Sequence, residues 1–302
     1  MTAEKKSCPS CPGGKKKGEE KVKSPSRILQ DELIFSTLGR IKYKLFIMSG
    51  KGGVGKSSIA VNLAVALANE GNKVGLLDVD IHGPSVPHLL GIKGLLEPGR
   101  GSLIEPKRYS ENLSVMSIES LLKDPDQAIM WKGPMKTSAI RKFVADVNWG
   151  NLDYLVIDSP PGTGDEPMTV LKTIPDALCL VVTTPQEISL ADVRKAINFL
   201  QYAKANILGL VENMSGLVCP HCREGISLFK EGGGKDLAYK FGIEFLGAIP
   251  LDPASVAAED QGVPVVMTKN PSPAKQALEE LARKVEQAAL NSLESVATAH
   301  KS

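Results

Sequence analysis

Gly50-Lys51-Gly52-Gly53-Val54-Gly55-Lys56-Ser57 is the stretch from which the rest of the chain can be read. It fits the phosphate-binding pattern GxxxxGK(S/T), and its flanks suit that pattern. Lys44-Leu45-Phe46-Ile47-Met48 leads in as an apolar run that predicts a buried strand, and Ser58 to Ala68 follows with strong helix formers. Strand, glycine loop and helix bring backbone amides close to a phosphate, and the helix start adds positive partial charge. In such a loop Lys56 reaches the β- and γ-phosphates of a nucleotide, and Ser57 ligates Mg²⁺. The amides of Gly50, Lys51, Gly52, Gly53, Val54 and Gly55, with Ser58 just beyond, complete the expected nucleotide contacts.

Working outward, the sequence alternates apolar runs with helical periodicity, which predicts a doubly wound α/β fold on a mainly parallel sheet of about seven or eight strands. Lys73 to Asp80 reads as the second strand and ends on Asp78 and Asp80. Ligands of open parallel sheets sit beyond the carboxyl ends of the strands. Asp80 is therefore assigned to orienting an attacking water or holding Mg²⁺ through water, with Asp78 in support. Asp153 to Asp158 is a second strand closed by an aspartate, and Asp158 suits a Mg²⁺-water contact. The following Ser159-Pro160-Pro161-Gly162-Thr163-Gly164-Asp165-Glu166 reads as a turn able to sense a γ-phosphate. Further strands are expected at 113–118, 177–185, 206–212 and 245–249, with a short edge element at 263–266. Helices are expected at 28–39, 137–147, after a Ser189 cap, at 235–241 and at 273–296.

Composition bounds the alternatives. The chain has 302 residues, of which 42% are hydrophobic, enough for a sizeable core. A net charge of +2 gives no general electrostatic case for nucleic acid. No run is long and apolar enough for a membrane span, and no secretory segment opens the chain, so a cytoplasmic location is expected. Residues 1–25 are rich in Lys, Glu, Gly, Pro and Ser and read as a disordered tail ahead of one domain over 26–302.

Four of the five cysteines form two Cys-x-x-Cys pairs, Cys8/Cys11 in the tail and Cys219/Cys222 late in the chain. The fifth, Cys179, lies in an apolar run and reads as core. Spaced pairs point to metal or redox chemistry rather than a disulfide framework. Three readings of Cys219-Pro220-His221-Cys222 are open: a reactive dithiol at a helix start, half of a structural zinc site, or half of an iron-sulfur site. Zn²⁺ Cys₄ sites and 4Fe-4S clusters both need four thiolates, so two copies of the chain would complete either. Cys8 and Cys11 offer a possible second half-site.

The loop with Lys51 directly after its first glycine resembles the deviant P-loop ATPases related to MinD, ParA and the nitrogenase iron protein. That resemblance implies a nucleotide-bound dimer in which Lys51 reaches the partner's nucleotide. Taken with Asp78 to Ser85, Asp158 to Asp165, Val211 to Ser215, Cys219 to Cys222 and Gly247 to Pro253, the pattern is similar to the Mrp/Nbp35 family, including ApbC-like proteins. The resemblance covers roughly residues 25–285. It implies a homodimeric ATPase that uses ATP and Mg²⁺, scaffolds a 4Fe-4S cluster on Cys219 and Cys222 of both copies, and hands it to apoproteins. It further implies that Asn213 reads the adenine edge and that Pro250 lies beside the base. The tail departs from the Nbp35 pattern, which carries four N-terminal cysteines where this chain has Cys8 and Cys11. A partition or positioning ATPase, a reductase with a permanent cluster, and a zinc-stabilised nucleotide switch are the competing expectations. The mixed charge of the last helix argues against a membrane-positioning role.

Overall fold

The computed structural model describes residues 25–81, 83–94, 103–121, 131–219, 222, 224–226, 228 and 231–299. The tail with Cys8 and Cys11, together with His82 and His221, lies outside them.

Apolar strands drive the architecture. β1 (Ile41–Ser49), β2 (Val74–Asp78), β5 (Leu152–Asp158) and β6 (Leu178–Thr183) are almost wholly buried. They run parallel, as expected of strands covered on both faces. With β3 (Lys107–Arg108), β4 (Leu113–Ser117), β7 (Asn206–Val218) and β8 (Gly225–Ile226) they form the order β3-β4-β2-β5-β1-β6-β7-β8. β9 (Phe245–Leu251) pairs with β7, which makes a nine-stranded sheet. Two short antiparallel additions, β3 on β4 and β8 on β7, take the count above the expected seven or eight.

Successive strand residues face opposite layers. Leu45, Ile47, Leu76 and Val156 pack with Ile59, Leu63 and Leu67 of α2 (Lys56–Asn69) and Leu278, Leu281 and Val285 of the long terminal helix. Phe46, Met48, Leu77 and Ile157 pack on the other side with Ile34 of α1 (Pro25–Leu38), Ile140 and Phe143 of α4 (Gly133–Ala145), and Val193 and Ile197 of α6 (Glu187–Tyr202). The remaining helices are α3 (Val86–Leu89), α5 (Asp165–Thr173), α7 (Gly233–Phe241), α8 (Pro253–Asp260) and α9 (Pro273–Ala299).

Four expectations shift. The helix expected at 137–147 begins at Gly133, because Pro134 fits a first turn where no amide partner is needed. Ser189 lies inside α6, which Gln186 caps, and it accepts a hydrogen bond from the Thr184 hydroxyl at 2.7 Å. The expected edge element at 263–266 is a 3-10 turn over Val265–Met267, since the Val266 amide donates to the Asn62 side chain instead of a strand. The strand expected to stop at Glu212 continues to Val218. It does so through an irregular stretch in which Met214 (φ 55°) and Gly216 (φ 73°) are left-handed and the register against β9 shifts.

Candidate functional site

The parallel strands end along one edge of the sheet. β1 is central, flanked by β5 and β6, so the loop after it opens at the crevice where ligands settle. The register sets Asp78 beside Asp158, and Asp158 beside Ile47 just before the loop. Three residues remote in sequence thus meet at the start of α2.

Lys56 is buried and its ammonium lies 2.5 Å from the Asp158 carboxylate, which is fully buried. A second contact joins Lys56 to the Ser57 hydroxyl at 3.2 Å. The other Asp158 oxygen, Oδ2, is buried with no hydrogen-bond partner among the described residues. A buried carboxylate oxygen left without a donor costs free energy unless a cation or water fills its place. Asp158 Oδ2 and the Ser57 hydroxyl therefore form a donor set that fits Mg²⁺, a hard ion bound through oxygen.

Asp78 is fully buried as well. It accepts the Asp80 amide at 3.0 Å and the Ser117 hydroxyl at 3.1 Å. Burial, reinforced by the nearby Asp158 charge, pushes its carboxyl well above the usual carboxylate range. Asp80 lies two residues beyond the strand and accepts the Gly83 amide at 3.3 Å. That geometry gives Asp78 a structural task, holding the turn that carries Asp80, and leaves Asp80 nearer the open end of the crevice.

The loop itself is closed by a long-range contact. The Asn213 amide donates to the Val54 carbonyl at 3.0 Å. Gly55 is left-handed (φ 80°), and a Cβ there would lie 2.1 Å from Asn213 Nδ2, so no other residue fits beneath that amide. Asn213 consequently touches the phosphate loop. The Ser58 hydroxyl donates to Glu259 of α8, and Asn62 donates to the same carboxylate at 3.0 Å. Ser58 therefore fastens α2 to α8, the helix just after Pro250 at the end of β9. Lys51 is half-buried and its ammonium makes no hydrogen bond or ion pair with the described residues.

Cys219 and Cys222 occupy the turn of the β7–β8 hairpin. Leu217 pairs with Ile226, and the Cys219 amide donates to the Glu224 carbonyl at 2.9 Å. The dithiol reading placed the pair at a helix start, and the hairpin turn overturns that placement. Cys219 is half-buried and Cys222 exposed, whereas Cys179 is buried in β6, where burial pushes its thiol up to about 12. Among the described residues no group of three or more His, Cys, Asp or Glu side chains is arranged to hold a metal ion, so Cys219 and Cys222 stand as a pair.

Two participants escaped the sequence reading: Ser117 and Glu259. Neither had a local signal, because their partners lie 39 and 201 residues away.

A central phosphate loop, a lysine–aspartate pair and a parallel sheet define a P-loop nucleotide triphosphatase. The comparisons narrow this. Residues 40–286 match a ParA family model described as a NUBPL iron-transfer P-loop NTPase. The chain is 47% identical over 239 residues to the iron-sulfur cluster carrier protein of Methanocaldococcus jannaschii, covering 79% of this chain and 82% of that one. It is 44% identical over 253 residues to human cytosolic Fe-S cluster assembly factor NUBP2, covering 82% and 93%. A nucleotide-binding protein of Archaeoglobus fulgidus, solved with ADP, superposes with a TM-score of 0.70 at 41% identity, over 82% of this chain and 96% of that one. Pyrococcus furiosus MinD superposes with a TM-score of 0.59 at 27% identity, over 81% and 98%. The chain belongs to the Mrp/Nbp35-type iron-sulfur cluster carriers, P-loop ATPases related to the MinD and ParA group.

Proposed function

We propose that this ATPase assembles a 4Fe-4S cluster between two copies of the chain and transfers it to apoproteins. The observation that supports the reading most is the position of Cys219 and Cys222. They are a partly exposed pair just past the end of β7, the strand that carries Asn213, which touches the phosphate loop. A pair supplies half of the thiolates such a cluster needs, and a two-fold copy supplies the rest. The cluster is the cargo, bound and released, while ATP is the consumed substrate. The name of the human relative places that protein in the cytosol, and we assign this one there. Among the described residues no helix is long and apolar enough to cross a membrane. We take 26–302 as one ATPase domain and 1–25 as a separate tail, whose Cys8 and Cys11 we leave as a candidate half-site.

Hydrolysis follows from the residues at the crevice. Lys56 is paired with Asp158. Arriving phosphates compete for that ammonium, and its turn toward them frees the Asp158 carboxylate. Asp158 and Ser57 would then hold Mg²⁺, which when bound offsets charge on the β- and γ-phosphates. The amides of the loop bind the phosphate chain and the partner's Lys51 adds a second cation at the γ-phosphate. Asp80 orients the attacking water, and Asp78 holds the turn that carries it. Asn213 and the segment at Pro250 flank the base.

The test is anaerobic reconstitution with iron and sulfide, followed by iron, sulfide, zinc and mass determination on wild type and Cys219→Ala. About four irons per dimer, lost in the variant, are expected. Zinc alone, or no metal in an intact dimer, would sink the cargo reading and leave a nucleotide switch.

A further inference from the structure

Glu212 is a fully buried carboxylate in the middle of β7 that the ATPase chemistry does not use. One of its oxygens accepts the Ser215 hydroxyl at 2.6 Å and the Gly232 amide at 3.1 Å, and the other accepts the Gly234 amide at 2.5 Å. The two amides belong to Gly232, which caps α7, and to Gly234 in its first turn, an end of the helix where a negative charge is favoured. The approach is tight: a Cβ on Gly234 would lie 2.9 Å from the Glu212 carboxylate, which explains a glycine inside that turn. Asn213, the next residue, contacts the phosphate loop. Because adjacent strand residues face opposite sides of the sheet, β7 is clamped here from both faces, by the loop through Asn213 and by α7 through Glu212.

Directly beyond the clamp the strand is irregular. Met214 is held left-handed, a conformation that is strained for a residue with a side chain. Ser215 is tied back to Glu212, Gly216 is again left-handed, and regular pairing resumes only at Leu217, two residues before Cys219. The direction in which the cysteine hairpin leaves the sheet is thus set by the bulge between 213 and 217. The bulge in turn is fixed by Glu212 through Ser215.

We infer that Glu212 is a positioning residue for the cysteine pair, coupling the state of the phosphate loop at Asn213 to the placement of Cys219 and Cys222. This deepens the cargo reading above and supplies a path by which nucleotide reaches the cargo thiolates. A nucleotide that displaces the Asn213 amide from Val54 releases one side of the clamp. The side held by Glu212 and Ser215 then converts that release into a defined shift of the bulge and the hairpin, rather than a general loosening.

The test measures thiol reactivity in the metal-free, reduced full chain, so no cargo is needed. Iodoacetamide labelling is followed at each cysteine by peptide mass spectrometry, with and without ADP and Mg²⁺. In wild type the nucleotide is expected to change the labelling rate of Cys219 by at least about threefold, as loss of one hydrogen bond would. In Glu212→Gln and in Ser215→Ala that dependence is expected to vanish, with nucleotide affinity within about threefold of wild type. Buried Cys179 serves as the fold control: its labelling stays negligible unless the variant has opened. Should Glu212→Gln label at Cys179, Ser215→Ala, which removes a single hydroxyl, decides the matter. A wild-type nucleotide response in Ser215→Ala, or no response in wild type, overturns the inference. Reconstitution separates the two ideas: iron bound with unchanged labelling leaves the cargo reading and removes the positioning role, while altered labelling without iron does the reverse.

Discussion

Asp78 and Asp158 stand side by side at the ends of neighbouring strands, with the single ammonium of Lys56 bonded to Asp158. Two buried carboxylates and one cation leave Asp78 with the weaker claim to ionise, and burial raises its carboxyl accordingly. The linkage has a definite sign. A carboxyl raised in the folded state burdens folding once it must ionise. The burden is absent below the unfolded value of about 4 and grows as pH rises through the folded value. Urea unfolding of nucleotide-free protein between about pH 4 and pH 8 is expected to show wild type losing stability relative to Asp78→Asn. A gap that stays constant over that range would mean that Asp78 ionises as readily folded as unfolded.

At the scale of elements, α8 connects the end of β9 to the start of α2 behind the phosphate loop. It follows β9 and Pro250, begins with Asp252 capping the Ala254 amide at 3.0 Å, and ends with Glu259 receiving Ser58 and Asn62 from α2. Burial raises the Glu259 carboxyl, and the two donors offset part of that effect. Removing the acceptor leaves two partly buried donors unmatched, worth about 1–3 kcal/mol. Glu259→Ala is expected to lose that much in chemical denaturation and to weaken nucleotide binding. Wild-type stability in the variant would show that α8 is held by apolar packing alone.

For the whole molecule, the consequence of the proposed dimer is a shared site. On the proposed dimer, Lys56 would serve the nucleotide of its own copy and Lys51 that of the partner. Lys56→Ala and Lys51→Ala are each expected to lower ATP turnover at least about a hundredfold. Mixing equal amounts is expected to recover about a quarter of wild-type turnover, since half of the dimers are mixed and each has one complete site. Failure of the mixture to recover would remove Lys51 from the partner's site. Undiminished hydrolysis by pure Lys56→Ala would overturn the phosphate-loop assignment itself.

The sequence alone determined the phosphate loop, the order of the main strands and helices, the aspartates at strand ends and the two cysteine pairs. Each of these is local: a spacing, a periodicity or a residue type within one short stretch, and the fold class follows from their alternation. Tertiary structure decided the Lys56–Asp158 pairing across 102 residues, the Asn213 contact that closes the loop, and the fastening of α2 to α8. It also turned the expected end of β7 at Glu212 from a stop into a bulge, and put Cys219 and Cys222 on a hairpin rather than the helix start of the dithiol reading. No periodicity encodes such contacts. They arise where strands far apart in the chain end at one sheet edge, and where a left-handed Met214 is tolerated because Glu212, Ser215 and α7 hold the backbone around it.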